Sequence, residues 1–139
     1  TKKMIHFFII QNLSGSTIFS KWYNSENIEN RNRLQEAIKE RLSCLEEKHL
    51  SYFTLGDTRI IFKKYKKIFM ITGVDFDENI LLMLATIQLI NEAFGSHSRD
   101  ISDVDVIYNN KKYMKIIDEI ILGGEVIGTS MKNIKGLIK

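Results

Sequence analysis

The segment from Ile80 to Phe94 constrains this chain most. Ile80, Leu81, Leu82, Met83, Leu84, Ala85, Ile87, Leu89, Ile90, Ala93 and Phe94 leave almost no polar face on a helix. A helix that is apolar nearly all round must be covered on more than one side, and one face of a sheet cannot do that alone. With 139 residues the chain is sized for one core. A sheet, the remaining helices and a partner protein are the available covers. No stretch reaches the roughly 18 apolar residues of a membrane span.

The rest of the pattern supplies that sheet. Met4 to Gln11 reads Met-Ile-His-Phe-Phe-Ile-Ile-Gln, short, β-branched and aromatic, which suits a central strand buried on both faces. Leu13-Ser14-Gly15-Ser16 has turn chemistry, and Thr17–Tyr23 is the return strand of a hairpin. Leu34, Ala37, Ile38, Leu42 and Leu45 then recur at helical spacing. They predict a surface helix from Ser25 to Glu47, with Ser25 and Glu26 at its start. Ser51–Leu55, Arg59–Lys64 and Ile68–Val74 read as three more strands, separated by Gly56-Asp57 and Lys66-Lys67. Asp77 is the expected cap of the apolar helix. Gly95-Ser96-His97-Ser98 breaks the chain. Asp100 is the expected cap of a short helix through Asn109. Tyr113, Ile116, Ile117 and Ile120 mark a further helix that Gly123-Gly124 ends, and Thr129 or Ser130 caps a last one. The expected class is α+β with an antiparallel sheet, one domain over residues 4–139, with Met4 as the natural start.

Several function classes find no support. The net charge of +3 is too small to argue nucleic-acid binding. Cys44, the one cysteine, excludes an internal disulfide. Zinc-hydrolase, nucleophile-elbow, phosphate-loop and dinucleotide motifs are all missing from the sequence. His6, His49 and His97 have no Cys or His at ligand spacing. Asp75-x-Asp77-x-Asn79 imitates the opening of a calcium loop, but Ile80 stands where the loop needs glycine and Thr86 where it needs a carboxylate. Asp118 and Glu119 are adjacent on a helix and make a poor acid–base pair. No enzyme activity, metal or cofactor is expected. The strongest charge run, Lys63-Lys64-Tyr65-Lys66-Lys67, straddles a strand turn. It is read as either a solvated hairpin tip or a basic patch attracted to an anionic surface.

Taken together, the residues resemble a known family. Phe7-Phe8-Ile9-Ile10-Gln11-Asn12, Gly15, Thr17 and Ser20-Lys21-Trp22-Tyr23 look like the opening of the small (sigma) subunits of clathrin-associated adaptor complexes. Ile60-Ile61-Phe62-Lys63-Lys64-Tyr65 resembles their basic strand. Val74-Asp75, Asn79, Asp103-Val104-Asp105 and Asn109 fall at matching intervals, and Ile116 to Glu125 with Thr129-Ser130 resembles their closing segment. The resemblance implies the longin-like fold, a five-stranded antiparallel sheet sandwiched between helices. It implies a non-catalytic subunit that packs against the N-terminal part of a large adaptor chain in a heterotetramer. The expected location is cytoplasmic, peripheral on coated vesicles at the Golgi, endosomes or plasma membrane. The Asp118-Glu119-Ile120 and Gly123-Gly124 run is also similar to the zeta subunit of the COPI coat, a sister family.

The family further implies a site for acidic dileucine sorting signals. Carried over by position, it involves Lys66, Ile68, Asn91, Ile101, Val104 and Val106, with Ile18 near the upstream acidic residue. Dileucine-binding members have Arg where this chain has Ile18, a small residue at Lys66 and an apolar one at Asn91. Losing the Arg removes a charge-assisted hydrogen bond, and a polar group on a leucine pocket wall must be desolvated. The resemblance therefore implies a retained apolar pocket with weakened recognition of the charge.

Overall fold

In the computed structural model, residues 4–44, 51–95 and 100–138 are described. Leu45, Glu46 and Glu47, together with His49, His97 and Ser98, lie outside the described residues. Strands β1 (Ile5–Asn12), β2 (Thr17–Trp22), β3 (Tyr52–Leu55), β4 (Thr58–Lys64) and β5 (Ile68–Asp75) form an antiparallel sheet in the order β2-β1-β5-β4-β3. Hairpins join β1 to β2 and β3 through β5. Helix α1 (Ile28–Ser43) leads from one sheet edge to the other. The final strand of the meander thereby lands beside the first, with Ile9 opposite Ile71 and Asn12 opposite Ile68. The apolar run of β1 is buried on both faces, as an interior strand requires.

The two faces of the sheet carry separate cores. Phe7, Ile9, Ile60, Phe62 and Ile71 point to one face, where Ile38 and Leu42 of α1 cover them. Phe8, Ile10, Ile61, Ile68, Met70 and Val74 point to the other. Alternation along each strand divides them so. Helix α2 (Ile80–Ala93) packs on that second face against β4 and β5, and is covered in turn by α4 (Asn110–Ile120) and α5 (Gly128–Ile138). The chain itself therefore supplies most of the cover that the apolar helix needs, with Leu81 left exposed. Between α2 and α4 lies α3 (Asp103–Tyr108), which packs against β2.

Helix starts differ from the sequence reading in a consistent way. Asn27, not Ser25 or Glu26, caps α1 by accepting from the Asn30 N–H. Asn79, not Asp77, caps α2 by accepting from Leu82 N–H. Ser102, not Asp100, caps α3 in a reciprocal box with Asp105. Each stretch has more than one side chain able to cap. Gly123 and Gly124 do not end α4, which stops at Ile120. They form the turn of a small hairpin of β6 (Ile121–Leu122) and β7 (Glu125–Val126). Both have positive φ, 58° and 92°, which suits a turn as well as a helix end. The Gly124 carbonyl accepts from Ile5 N–H at 2.8 Å and fastens this hairpin to the start of β1. The last helix begins at Gly128, ahead of Thr129.

Asp75 closes the sheet at that same end. Its carboxylate accepts from Met4 N–H at 2.8 Å and pairs with His6 Nε2 at 2.6 Å. Burial works against the charged form, but the hydrogen bonds from His6 and Met4, aided by the His6 charge, hold the carboxyl below its ordinary range. As pH falls, the unfolded chain therefore takes up this proton first. The stabilisation is complete above the usual carboxylate range and disappears as pH drops through the lower folded value. Asp75→Asn is expected to lower stability at neutral pH and to lose less on acidification. Denaturant midpoints of both proteins between neutral pH and about pH 3 check this; parallel pH curves would refute it.

Candidate binding surface

Most of the sequence-assigned site converges at one end of the second sheet face. Tyr65 and Lys66 occupy the β4–β5 turn, closed by the Tyr65 N–H donating to the Ile68 carbonyl at 2.8 Å. Lys66 Nζ lies 3.8 Å from Asp100 Oδ2, both exposed, so the turn meets the segment leading into α3. Ile68, Ile101 and Val106 share the core of this face, with Ile18 packed against it. Asn91, near the end of α2, is buried beside Tyr65. Burial pushes the Tyr65 phenol up to about 12; the Glu92 charge adds to this and the Asn91 side chain opposes it.

Val104 does not join this group. It is 68 % exposed while Val106 is fully buried. Residues two apart on a helix point in different directions, and α3 is a helix at that point. Val104 instead shares an exposed stripe with Ile107 and Tyr108, 60 % and 87 % exposed, at the i, i+3, i+4 spacing of one helical face. Ile68 and Val106, each at 0 %, already pack fully against their neighbours. Neither offers an open pocket to solvent.

The sequence reading missed two members of this surface. Asp100, taken there as a cap, is the partner of Lys66. Tyr65, taken as part of a charge run, is half-buried between α2 and the sheet. Its signal was an aromatic ring inside the lysine run, on the strand face of Ile61. On the far side of the sheet a groove of about 450 Å³ is lined by His6, Asn30, Arg33, Leu34 and Asp57, among others. None of the positions assigned to the dileucine site lines it. Among the described residues no group of three or more His, Cys, Asp or Glu side chains is placed to hold a metal ion. No helix among them is long and apolar enough to cross a membrane.

The decisive comparison is with protein families. The profile of the clathrin adaptor complex small chain matches residues 4–138. The chain belongs to that family. This small chain is 34 % identical over 128 residues to the AP-2 complex subunit sigma of Dictyostelium discoideum, covering 91 % of the chain and 89 % of the relative. It is 31 % identical over 132 residues to the human AP-4 complex subunit sigma-1, covering 94 % and 91 %. A chain in a homology model of the full-length AP-3 complex in a stretched open conformation shares its fold. The TM-score there is 0.75 at 24 % identity, over 97 % of this small chain and 91 % of that one. The five-stranded antiparallel sheet between helices is thus the architecture of an adaptor subunit. These relatives set the zeta reading aside. They come from several adaptor complexes.

Proposed function

We propose that this small chain is a non-catalytic structural subunit of a heterotetrameric clathrin adaptor complex, held against the N-terminal part of a large adaptor chain. In that complex it acts on coated vesicles in intracellular protein transport, peripheral to the membrane. The family match along nearly the whole chain carries the reading. Physical support comes from apolar side chains left in water, Leu81, Leu122 and the Val104–Ile107–Tyr108 stripe, since apolar surface in contiguous patches marks interaction sites. The apolar interior of α2 no longer bears on the question, because the sheet, α4 and α5 cover it.

Its cargo role rests on the same end of the sheet. Ile18 offers no charge to an upstream acidic residue, Asn91 places an amide on an apolar wall, and Ile68 and Val106 are shut in. A lost charged hydrogen bond is worth about 1.5–3 kcal/mol, or roughly tenfold and more in affinity. Acidic dileucine peptides are therefore expected to bind the assembled complex weakly or not at all. Ile18→Arg with Asn91→Val is expected to strengthen binding by at least about tenfold. The experiment co-expresses the chain with a large adaptor chain, purifies the complex, and titrates the peptide and its dialanine control. Failure to co-purify with any large adaptor chain would overturn the subunit reading. Tight wild-type binding that the double substitution leaves unchanged would overturn the cargo assignment alone.

A further inference from the structure

The register Asn12 opposite Ile68 brings two turns to one end of the sheet, the β1–β2 turn at residues 13–16 and the β4–β5 turn at 65–67. We propose that this end is a membrane-facing tip that docks directly on an acidic lipid surface, with Leu13 entering the interface and Lys39, Lys63, Lys64, Lys66 and Lys67 meeting the headgroups.

The lysines are arranged for a plane and not for a peptide groove. Side chains alternate across a strand, so Lys63 lies on the Ile61 face and Lys64 on the Phe62 face, which belong to the two separate cores. Their ammonium groups sit over the rings of Tyr65 and Phe69, 5.6 and 5.8 Å from the centroids, on opposite sides of the sheet. Lys66 and Lys67 occupy the turn itself. An extended peptide on one face reaches only part of this set, whereas a flat surface met end-on by the sheet reaches all of it. The fifth lysine comes from α1. Its methylenes lie so close over Gly15 that a β-carbon there would stand 2.5–2.9 Å from them, so Lys39 is laid along the β1–β2 turn. All five lysines are exposed. Among the described residues, Asp100 is paired with one member of the set, Lys66.

Leu13 supplies the apolar element. It is 52 % exposed at the tip of a turn that is tightly held. Asn12 Oδ1 accepts from Ser14 N–H, Ser14 Oγ–H and Ser16 N–H, and Gly15 N–H donates to the Asn12 carbonyl. The leucine is thus presented without needing to be ordered on contact. An aliphatic side chain amid lysines matches an anionic membrane interface. The proposal rests on the adaptor reading for its biological setting, but the lipid contact belongs to this chain and is measured separately from assembly.

The test is co-sedimentation of the full chain, alone and within the co-purified complex, with vesicles of phosphatidylcholine or of phosphatidylcholine and phosphatidylserine. Binding to the acidic vesicles only, falling steeply with salt, is expected. A basic residue near an acidic leaflet is worth about fivefold in affinity. The quadruple variant Lys63→Gln, Lys64→Gln, Lys66→Gln, Lys67→Gln is therefore expected to lose about a hundredfold or more. Leu13→Ser is expected to weaken binding severalfold with the salt dependence unchanged. Lys111→Gln with Lys112→Gln, on α4, controls for charge alone and is expected to leave binding nearly intact. Circular dichroism verifies that each variant is folded. Equal binding to neutral vesicles, or equal loss in the α4 control, would overturn the proposal. So would a quadruple variant that keeps its vesicle binding and loses an acidic peptide instead, since that assigns the lysines to cargo. Loss of vesicle binding with assembly intact supports the tip, and failure of assembly with vesicle binding intact counts only against the adaptor reading.

Discussion

Gly73→Ala is expected to destabilise the protein by about 2 kcal/mol or more, and Gly73→Val by considerably more. Gly73 lies buried in β5 between Phe7 of β1 and Ile60 of β4. The Phe7 ring lies directly over its α-carbon, in the space a β-carbon would fill. The ring is fully buried, and the Trp22 indole packs against it, 4.7 Å away between centroids. Glycine in a strand is ordinarily a weakness, and a β-carbon gains about 0.4–1 kcal/mol by restricting the unfolded chain. Overpacking a fixed core costs about 1–3 kcal/mol, so the clash decides the sign. For a domain of this size each kcal/mol moves Tm by roughly 3–6 °C. Thermal melts of Gly73→Ala, Phe7→Ala and the double variant test the cause. Phe7→Ala alone is expected to cost about 3–5 kcal/mol. The double variant is expected to cost clearly less than the sum, because removing the ring removes the clash. Strict additivity would show that Gly73 is needed for some other reason.

That contact shows where sequence reading stops. The existence of the five strands and their succession along the chain are legible, because β1 is continuously apolar and β4 and β5 are short apolar runs set off by the Gly-Asp and Lys-Lys turns. The apolar periodicity of α1 and α2 is equally local. The pairing of Gly73 with Phe7 joins residues far apart along the chain and leaves no local trace. Helix caps fail for a related reason. Asp75, Asp77 and Asn79 all stand ahead of α2; Asp75 is held by Met4 and His6, and Asn79 is the residue whose side chain accepts from Leu82 N–H. Of the positions assigned to the candidate site, Ile68, Ile101 and Val106 share one buried core, while Val104 turns outward. Positions matched along a sequence carry no direction. Whether two valines two apart share a face depends on whether their segment is strand or helix, and here it is helix.

Tyr113→Ala is expected to cost about 3–5 kcal/mol and to loosen the candidate site with the fold. Tyr113 of α4 is buried with its ring parallel to that of Phe94, centroids 3.9 Å apart and planes within 6°. Phe94 caps the end of α2 and meets Phe19 of β2 edge-on at 6.5 Å; Phe19 meets Phe8 of β1 at 6.1 Å. This row of rings ties α4 and α2 to the two strands at the β2 edge. Rings packed this closely hold the two helices together largely through burial and dispersion. Tyr113→Leu is accordingly expected to retain part of the stability, and Tyr113→Phe most of it. The functional consequence follows from what the row holds in place. Asn91 lies three residues before Phe94, and Ile101 and Val106 lie between Phe94 and Tyr113 along the chain. With the Tyr113 ring gone, α3 is expected to separate from β2 more readily, exposing Ile68 and Val106. Amide exchange of Tyr113→Ala should then accelerate in α3 and at the start of β5 beyond what the global loss of stability explains. Uniform acceleration across the sheet, with α3 no faster than β4, would show that the ring row stabilises the fold without gating the site.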